Sequence, residues 1–424
     1  MSLKLAVSLG ALQTGVSLVL SFLSIKVTSV YLGPAGIATL GQLIYFIALL
    51  QGALSGFHTG IVRRVAQLSG RPDQTATVIA TVARMLFFVG LPAAVVIAMG
   101  SGWVARELLH DSTLSPSVLL FACVFVFGLW ATVINACASG AKDYRTVAMA
   151  NIAGAAISCA LTVTLSLSLG VLGGLLALAI LPGTSLLIAW LLARRKAWWP
   201  VRPLSHGFSS GEARGLLAFL PLGVINSVGV PLLHLVIRDN VASQSGMAAV
   251  GYLQGVSRIS DIYLGVATSV ILMYFFPRFS ELRDPSKLAT ELKKCLIAVV
   301  PAVSACSLLI YLTRDWIIAL VFTSEFNAMS ELFGWQMVGN TLRVAGSLFF
   351  YLLLSQGHAF AMAALDAATM VVWWGFSAYL IPMHGALGAT EAYAATSALY
   401  AGIAPILTIT FLWKRRKSME GPAE

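Results

Sequence analysis

Charge is what this sequence has least of: Asp, Glu, Lys and Arg make up 10% of its 424 residues, against about 25% in soluble domains. A chain this poor in charge and 58% hydrophobic has too little polar surface to enclose an apolar core in water, which excludes a soluble globule. No polar stretch is long enough for a separate domain. The longest, 194–214, falls well short of the roughly 50 residues that a small domain needs. There is no P-loop, so ATP is excluded as the direct driving force. The six histidines are scattered without metal-ligand spacing. The five cysteines, Cys123, Cys137, Cys159, Cys295 and Cys306, lie in apolar runs without redox or ligand spacing and read as packing residues. Neither metal nor cofactor is expected.

Long apolar runs are what the chain has in abundance. A helix crosses the hydrocarbon with about 20 largely apolar residues. Such runs fall roughly at 6–32, 36–60, 77–101, 117–138, 146–168 and 171–193, then at 215–237, 248–276, 295–313, 332–355, 360–381 and 390–413. Unpaired backbone is intolerable at membrane depth, so runs of this length must be helical. The expectation is an all-α polytopic membrane protein with twelve transmembrane helices. The first run lacks a small-residue cleavage pattern and leads straight into another span, so it reads as a retained helix.

The net charge of +10 is placed in alternate loops. With the N-terminus in the cytoplasm, the inner segments carry Lys4, then Arg63, Arg64 and Arg71, then Lys142 and Arg145, and then Arg194, Arg195, Lys196, Arg202 and Arg214. Arg278 to Lys294 and Lys414 to Lys417 continue the series, whereas the outer loops hold only Arg106, Arg238 and Arg314. The positive-inside rule then puts both termini in the cytoplasm.

The basic stretch 194–214, with Trp198 and Trp199, reads as a linker between two six-helix lobes, 1–200 and 201–424. A weak repeat supports two halves: Gly36-x4-Gly41-x-Leu43 near the first hairpin and Gly246-x4-Gly251-x-Leu253 near the seventh span. Repeated halves around a central cleft are a common transporter design, opening a midplane site to either side in turn. Pro92, Pro182, Pro221, Pro231, Pro301 and Pro405 fall inside spans as possible hinges, though proline is ordinary in membrane helices. The stripe Gly52, Gly56, Gly60 permits close helix packing.

A charge at the bilayer centre costs roughly 2.5–3.5 kcal/mol on insertion scales, so ionisable residues at depth mark cavities and pathways. In the tenth span, Gln336, Asn340, Arg343 and Ser347 share one helix face, and in the eighth Gln254, Arg258, Asp261 and Gly265 repeat the spacing. The candidate substrate-binding residues are Arg343, Arg258, Asp261, Lys26, Asn340 and Gln254, with Asp366 and Asp261 as candidate ion-coupling carboxylates. The plainer reading of Arg258 and Asp261 is a mutual pair on one helix. For Arg343 it is a carboxylate from another helix, Asp261 or Asp366. For Lys26 it is snorkelling to the interface. Guanidinium groups grip phosphates and carboxylates in bidentate fashion and stay charged on burial, so this lumen suits an anionic headgroup, with the amides and hydroxyls meeting sugar hydroxyls.

Two segments carry a family resemblance. Tyr31-Leu-Gly-Pro-Ala-Gly-Ile-Ala-Thr-Leu-Gly-Gln-Leu43 resembles the first loop and second helix of Wzx-type flippases. Val250-Gly-Tyr-Leu-Gln-Gly-Val-Ser-Arg-Ile-Ser-Asp-Ile-Tyr-Leu-Gly265, followed by Met273-Tyr-Phe-Phe-Pro-Arg278, resembles more narrowly the translocases of enterobacterial common antigen. The resemblance spans essentially the whole chain. It implies the multidrug/oligosaccharidyl-lipid/polysaccharide exporter superfamily, with two lobes alternating access to a cleft. It also implies an undecaprenyl-pyrophosphate-linked oligosaccharide, with an acidic sugar in the enterobacterial case, and a polymerase and chain-length regulator as partners in the same membrane. The rivals are a multidrug antiporter of the same superfamily, whose cationic drugs favour a carboxylate-lined lumen, and a membrane glycan polymerase. The second needs acid–base residues on sizeable outer loops, where the only polar cluster is Glu107, His110 and Asp111.

Overall fold

A computed structural model of the chain describes residues 3–52, 55–68, 71–196, 198–199, 207–217 and 220–420. Among the described residues there is no strand. The helices are α1 (Leu3–Gly52), α2 (Ser55–Gln67), α3 (Pro72–Met99), α4 (Ser115–Gly140), α5 (Tyr144–Ala193), α6 (Ser210–Leu217), α7 (Leu220–Val270), α8 (Pro285–Leu312), α9 (Arg314–Val321), α10 (Phe333–Ser355), α11 (Ala359–His384) and α12 (Ala386–Glu420). Nine helical stretches among the described residues are long and apolar enough to cross a membrane, and the protein is a multi-pass membrane protein.

Three of those stretches belong to α1, α5 and α7, and each of these helices is broken at one glycine of positive φ: Gly33 (63°), Gly170 (60°) and Gly246 (80°). The breaks fall between the first and second, fifth and sixth, and seventh and eighth apolar runs of the sequence. They are tight reversals. A Cβ added at Gly173 would lie 1.9 Å from the carbonyl oxygen of Leu165, a contact that a straight helix never makes. Gly385 (φ 59°) turns the chain in the same way between α11 and α12. Only glycine enters this region without a steric penalty, and a one-residue turn leaves few backbone groups to satisfy at the membrane edge. The breaks in α5 and α7 sit at these glycines and not at Pro182 or Pro231, which remain within helix. Pro92, Pro301 and Pro405 likewise stand inside continuous helices, and Pro221's side chain lies outside the described residues.

The chain forms two compact units, 1–235 and 236–424, each with its own apolar centre. In the first unit α4 packs most extensively on α5, α1 on α5 and α3 on α4, around Leu43, Ile79, Phe121, Phe125 and Val133. In the second, α10 packs on α12 and α8, and α11 on α12, around Phe279, Leu288, Leu348, Leu352 and Tyr400. Lipid offers no hydrophobic gain for helix pairing, so close backbone approach decides. Gly52 supplies one such approach, since a Cβ there would meet the carbonyl oxygen of Ser227 at 2.0 Å; Gly56's side-chain position lies outside the described residues. Cys137, Cys159 and Cys295 are buried, whereas Cys123 and Cys306 are exposed. Packing thus explains three of the five cysteines.

The elements of the two units repeat in order. α3 and α8 are both 28 residues long and open on Pro72 and Pro285. The glycine breaks at Gly33 and Gly170 have counterparts in Gly246 and Gly385. This register pairs Gly246 with Gly33, so Gly36, its partner in the sequence repeat, belongs to the first turn after the break.

The polar stretch between the halves is tied down where it is described. Lys196 Nζ lies 3.1 Å from Asp143 Oδ2, and Trp198 Nε1 donates to the same oxygen at 3.1 Å. Arg64 on α2 donates to both carboxylate oxygens of Glu212 on α6, at 2.8 and 2.5 Å.

Candidate functional site

Most of the candidate residues meet inside the second unit, where α10 brings its polar stripe against α7, α8, α11 and α12. Asn340 is fully buried and acts as a hub. Its Nδ2 donates to Ser260 Oγ and to the Tyr263 hydroxyl, both at 2.8 Å, and its Oδ1 accepts from Gln336 Nε2 at 3.1 Å. The Tyr263 hydroxyl continues to Ser307 Oγ at 3.0 Å, and Thr341 reaches the same serine at 3.3 Å. The result is a polar seam that joins α7, α8 and α10 inside apolar packing. Every partner is an amide or a hydroxyl, so the seam carries no charge.

One turn further on, Arg343 meets a different environment. Its guanidinium lies 4.1 Å from the centre of the Tyr400 ring, and Nη2 is 3.7 Å from Asp366 Oδ1 on α11. The carboxylate is nearly buried, at 6% side-chain exposure, while Arg343 keeps 36%. Of the two cross-helix partners open from sequence, Asp366 is the one found. The separation exceeds the 2.7–2.9 Å of a charge-assisted hydrogen bond, so the pair attracts without being locked. The ring face adds a cation–π contact to the guanidinium.

Close helix packing makes this contact possible. Gly339 and Gly346 on α10 lie against the rings of Tyr393 and Tyr400 on α12; a Cβ on either glycine would come within 2.5 Å of its tyrosine. Tyr393 lies within electrostatic reach of Arg343, Asp261 and Tyr263, which joins the arginine to the eighth-span stripe. Sequence reasoning missed Tyr393 and Tyr400. The signal was the matched spacing of the two glycines and the two tyrosines on neighbouring helices.

On α7, Arg258 is half-buried and Asp261 exposed. Asp261 interacts through charge with Arg258 and with Arg238, and no direct ion pair joins Arg258 to Asp261 among the described residues. Arg238, assigned from sequence to an outer loop, is instead fully buried and donates from Nη1 to Gln254 Oε1. The reason is the Gly246 turn, which is so tight that the two arms of α7 stay together up to the bend. Gln254 therefore serves Arg238 across the hairpin. Lys26 is half-buried on α1 of the first unit, and Ser24 and Thr28 beside it donate to carbonyls one turn back in their own helix. Among the described residues no group of three His, Cys, Asp or Glu side chains comes together as a metal site.

This assembly of broken helices, with an uncharged polar seam and an arginine–aspartate pair in one unit, has the fold of a known transporter class. An inward-facing multidrug resistance MATE family transporter of the MOP superfamily superposes with a TM-score of 0.79 at 16% identity, covering 94% of this chain and 95% of that one. The lipid II flippase MurJ in an inward closed conformation superposes with a TM-score of 0.73 at 12% identity, covering 97% and 92%. At these identities the likeness concerns the fold, which is the all-α, two-lobed transporter fold.

The sequence is more specific. Residues 37–331 match the polysaccharide biosynthesis protein family model. The lipid III flippase of Escherichia coli (strain K12) is 32% identical over 395 residues, 92% of this chain and 94% of the relative, and that of Shigella flexneri is equally similar. The chain belongs to this polysaccharide biosynthesis family, and the relatives named here are flippases and transporters, not catalysts.

Proposed function

We propose that the protein turns a polyprenyl-pyrophosphate-linked oligosaccharide from the cytoplasmic to the periplasmic leaflet of a bacterial inner membrane by alternating access. The two six-span halves, 1–200 and 201–424, act as the moving lobes, and both termini lie in the cytoplasm. The observation that carries the reading is Arg343, held over the Tyr400 ring with a loose contact to Asp366, in a chain 32% identical along 92% of its length to lipid III flippases.

The chemistry is an exchange of partners. A phosphate oxygen pair binds a guanidinium in bidentate geometry and with more charge than a single carboxylate contact at 3.7 Å provides. Arg343, together with Arg258, receives the pyrophosphate or an acidic sugar as Asp366 gives way. Asp366 then takes a proton or a cation, which gives the site a coupling step. Asn340 and Gln254 hold the seam in shape, Asp261 balances Arg258, and Lys26 adds positive charge in the other lobe. A polymerase and a chain-length regulator in the same membrane consume the product. The multidrug reading draws on Asp261 and Asp366, but arginines stand beside both carboxylates and disfavour an organic cation.

The test is complementation of a strain lacking its own flippase. Arg343→Ala is expected to abolish glycan export at unchanged protein level. Removing the arginine alone takes a charge partner from a nearly buried carboxylate, which is destabilising in its own right. Arg343→Ala with Asp366→Asn therefore serves as the control, expected to restore thermal stability without restoring export. Export by either variant at the wild-type rate removes Arg343 from the site.

A further inference from the structure

The element repeat gives the Arg343 site a counterpart in the first unit, and there the residues differ in kind. Counted back equally from the helix ends Ala141 and Gln356, Gly128 occupies the place of Arg343. Counted forward equally from the turns Gly170 and Gly385, Ser185 occupies the place of Tyr400. An arginine over a tyrosine ring is thus replaced by a glycine and a serine, and the lost volume reappears as a cavity of about 350 Å³.

Its lining is uncharged and mostly apolar, with four polar side chains, Gln51, Thr132, Asn135 and Ser185, standing around Gly128 and Pro182. These side chains come from three helices, α1, α4 and α5. Gln51 and Thr132 are exposed, and Asn135 and Ser185 half-buried. Thr132 returns its hydroxyl to the carbonyl of Gly128. Among the described residues Gln51, Asn135 and Ser185 spend no hydrogen bond on the protein. Polar groups with unused bonds are costly against lipid, so three of them converging on one concavity mark a wetted surface. The floor is closed: a Cβ at Gly128 would lie 2.7 Å from Pro182 Cβ.

We infer that this cavity is a second subsite, which takes an uncharged, hydroxyl-rich sugar ring of the lipid-linked glycan while the charged site of the other unit takes the anionic part. The inference rests on the proposed function and deepens it. Amides and hydroxyls pair with sugar hydroxyls as donors and acceptors alike, and the apolar walls of Ile47, Leu178 and Pro182 suit the C–H face of a ring. At about 30 Å³ per water, the volume equals about a dozen waters, the heavy-atom count of one hexose.

Binding to the full-length protein in lipid nanodiscs tests the assignment with two probes: farnesyl pyrophosphate, and farnesyl pyrophosphate carrying a neutral disaccharide. Asn135→Leu is expected to weaken the glycosylated probe on the order of tenfold, as for one lost hydrogen bond, with the sugar-free probe unchanged. Ser185→Ala, a smaller change that keeps the cavity open, should show the same selectivity to a lesser degree and secures the test if Asn135→Leu does not fold. Equal weakening of both probes, no change in either, or equal wild-type affinity for the two probes overturns the subsite. If Arg343→Ala leaves both probes unaffected while Asn135→Leu acts selectively, the sugar subsite stands and the anion site of the other unit falls.

Discussion

Asn340 shows how a buried polar residue specifies a packing arrangement in lipid. It is fully buried and serves three partners, Ser260 and Tyr263 on α7 and Gln336 on its own helix. Asn340→Leu would strand the Gln336 amide in an apolar interior and take one hydrogen bond each from Ser260 and Tyr263, which keep Val256 O and Ser307 Oγ, and an orphaned group costs about 1–3 kcal/mol. The expected outcome is a clearly lower melting temperature in detergent, while Asn340→Asp, which keeps an acceptor for Gln336 but loses the two donated bonds, falls at least as far. A melting temperature unchanged by Asn340→Leu would show that the seam is not structural. At this scale the sequence was legible as a pattern and silent on pairing. The stripe from Gln336 to Ser347 could be read from helical spacing. That Arg343 would choose Asp366 over Asp261 depends on how α11 packs, which no local pattern encodes. Arg238 misled for a related reason: hydropathy marks the end of a span, but only the tertiary turn decides whether that end is wet.

Among the elements, the one-residue glycine turns carry the architecture. Gly173→Ala should fail to accumulate as folded protein, because its Cβ would fall 1.9 Å from the carbonyl oxygen of Leu165, whereas Gly154→Ala, with nothing within 4 Å, should be neutral. Size-exclusion profiles in detergent compare the two directly, and a normal Gly173→Ala profile would contradict the tight reversal. These turns are also why span boundaries were readable while the register of the repeat was not: hydropathy dips at each turn, but Gly33 and Gly36 stand close together and only one has positive φ.

The loop before α5 makes a further prediction of this kind. Asp143 caps the helix by accepting from Thr146 N at 3.2 Å and pairs with Lys196. Burial pushes its carboxyl pKa up, but hydrogen bonds from Trp198, Thr146 and Lys196 outweigh burial and bring it down from 3.8 to about 2. A depressed folded-state value stabilises the fold above the ordinary carboxylate range and loses that contribution as pH falls from 3.8 toward 2. The wild type should therefore lose up to about 2 kcal/mol more than Asp143→Asn across that window, measured as denaturant midpoints in detergent. Parallel curves for the two proteins would show that the cap is energetically idle.

For the whole molecule, composition sufficed to place the chain in a membrane as a helical bundle, because nothing else tolerates so little charge over so many residues. The two units differ in ways that composition does not reveal, with Arg343 and Tyr400 in one and Gly128 and Ser185 in the other. The most direct measurement of the central claim is transfer across a bilayer by the purified protein. In proteoliposomes loaded with a prenyl-pyrophosphate-linked oligosaccharide, the fraction of glycan open to an impermeant external glycosidase should climb beyond the outer-leaflet share with wild-type protein and stay at that share with Arg343→Ala. If the wild-type protein leaves the inner-leaflet glycan protected as completely as protein-free liposomes do, the protein is not a flippase for this class of lipid.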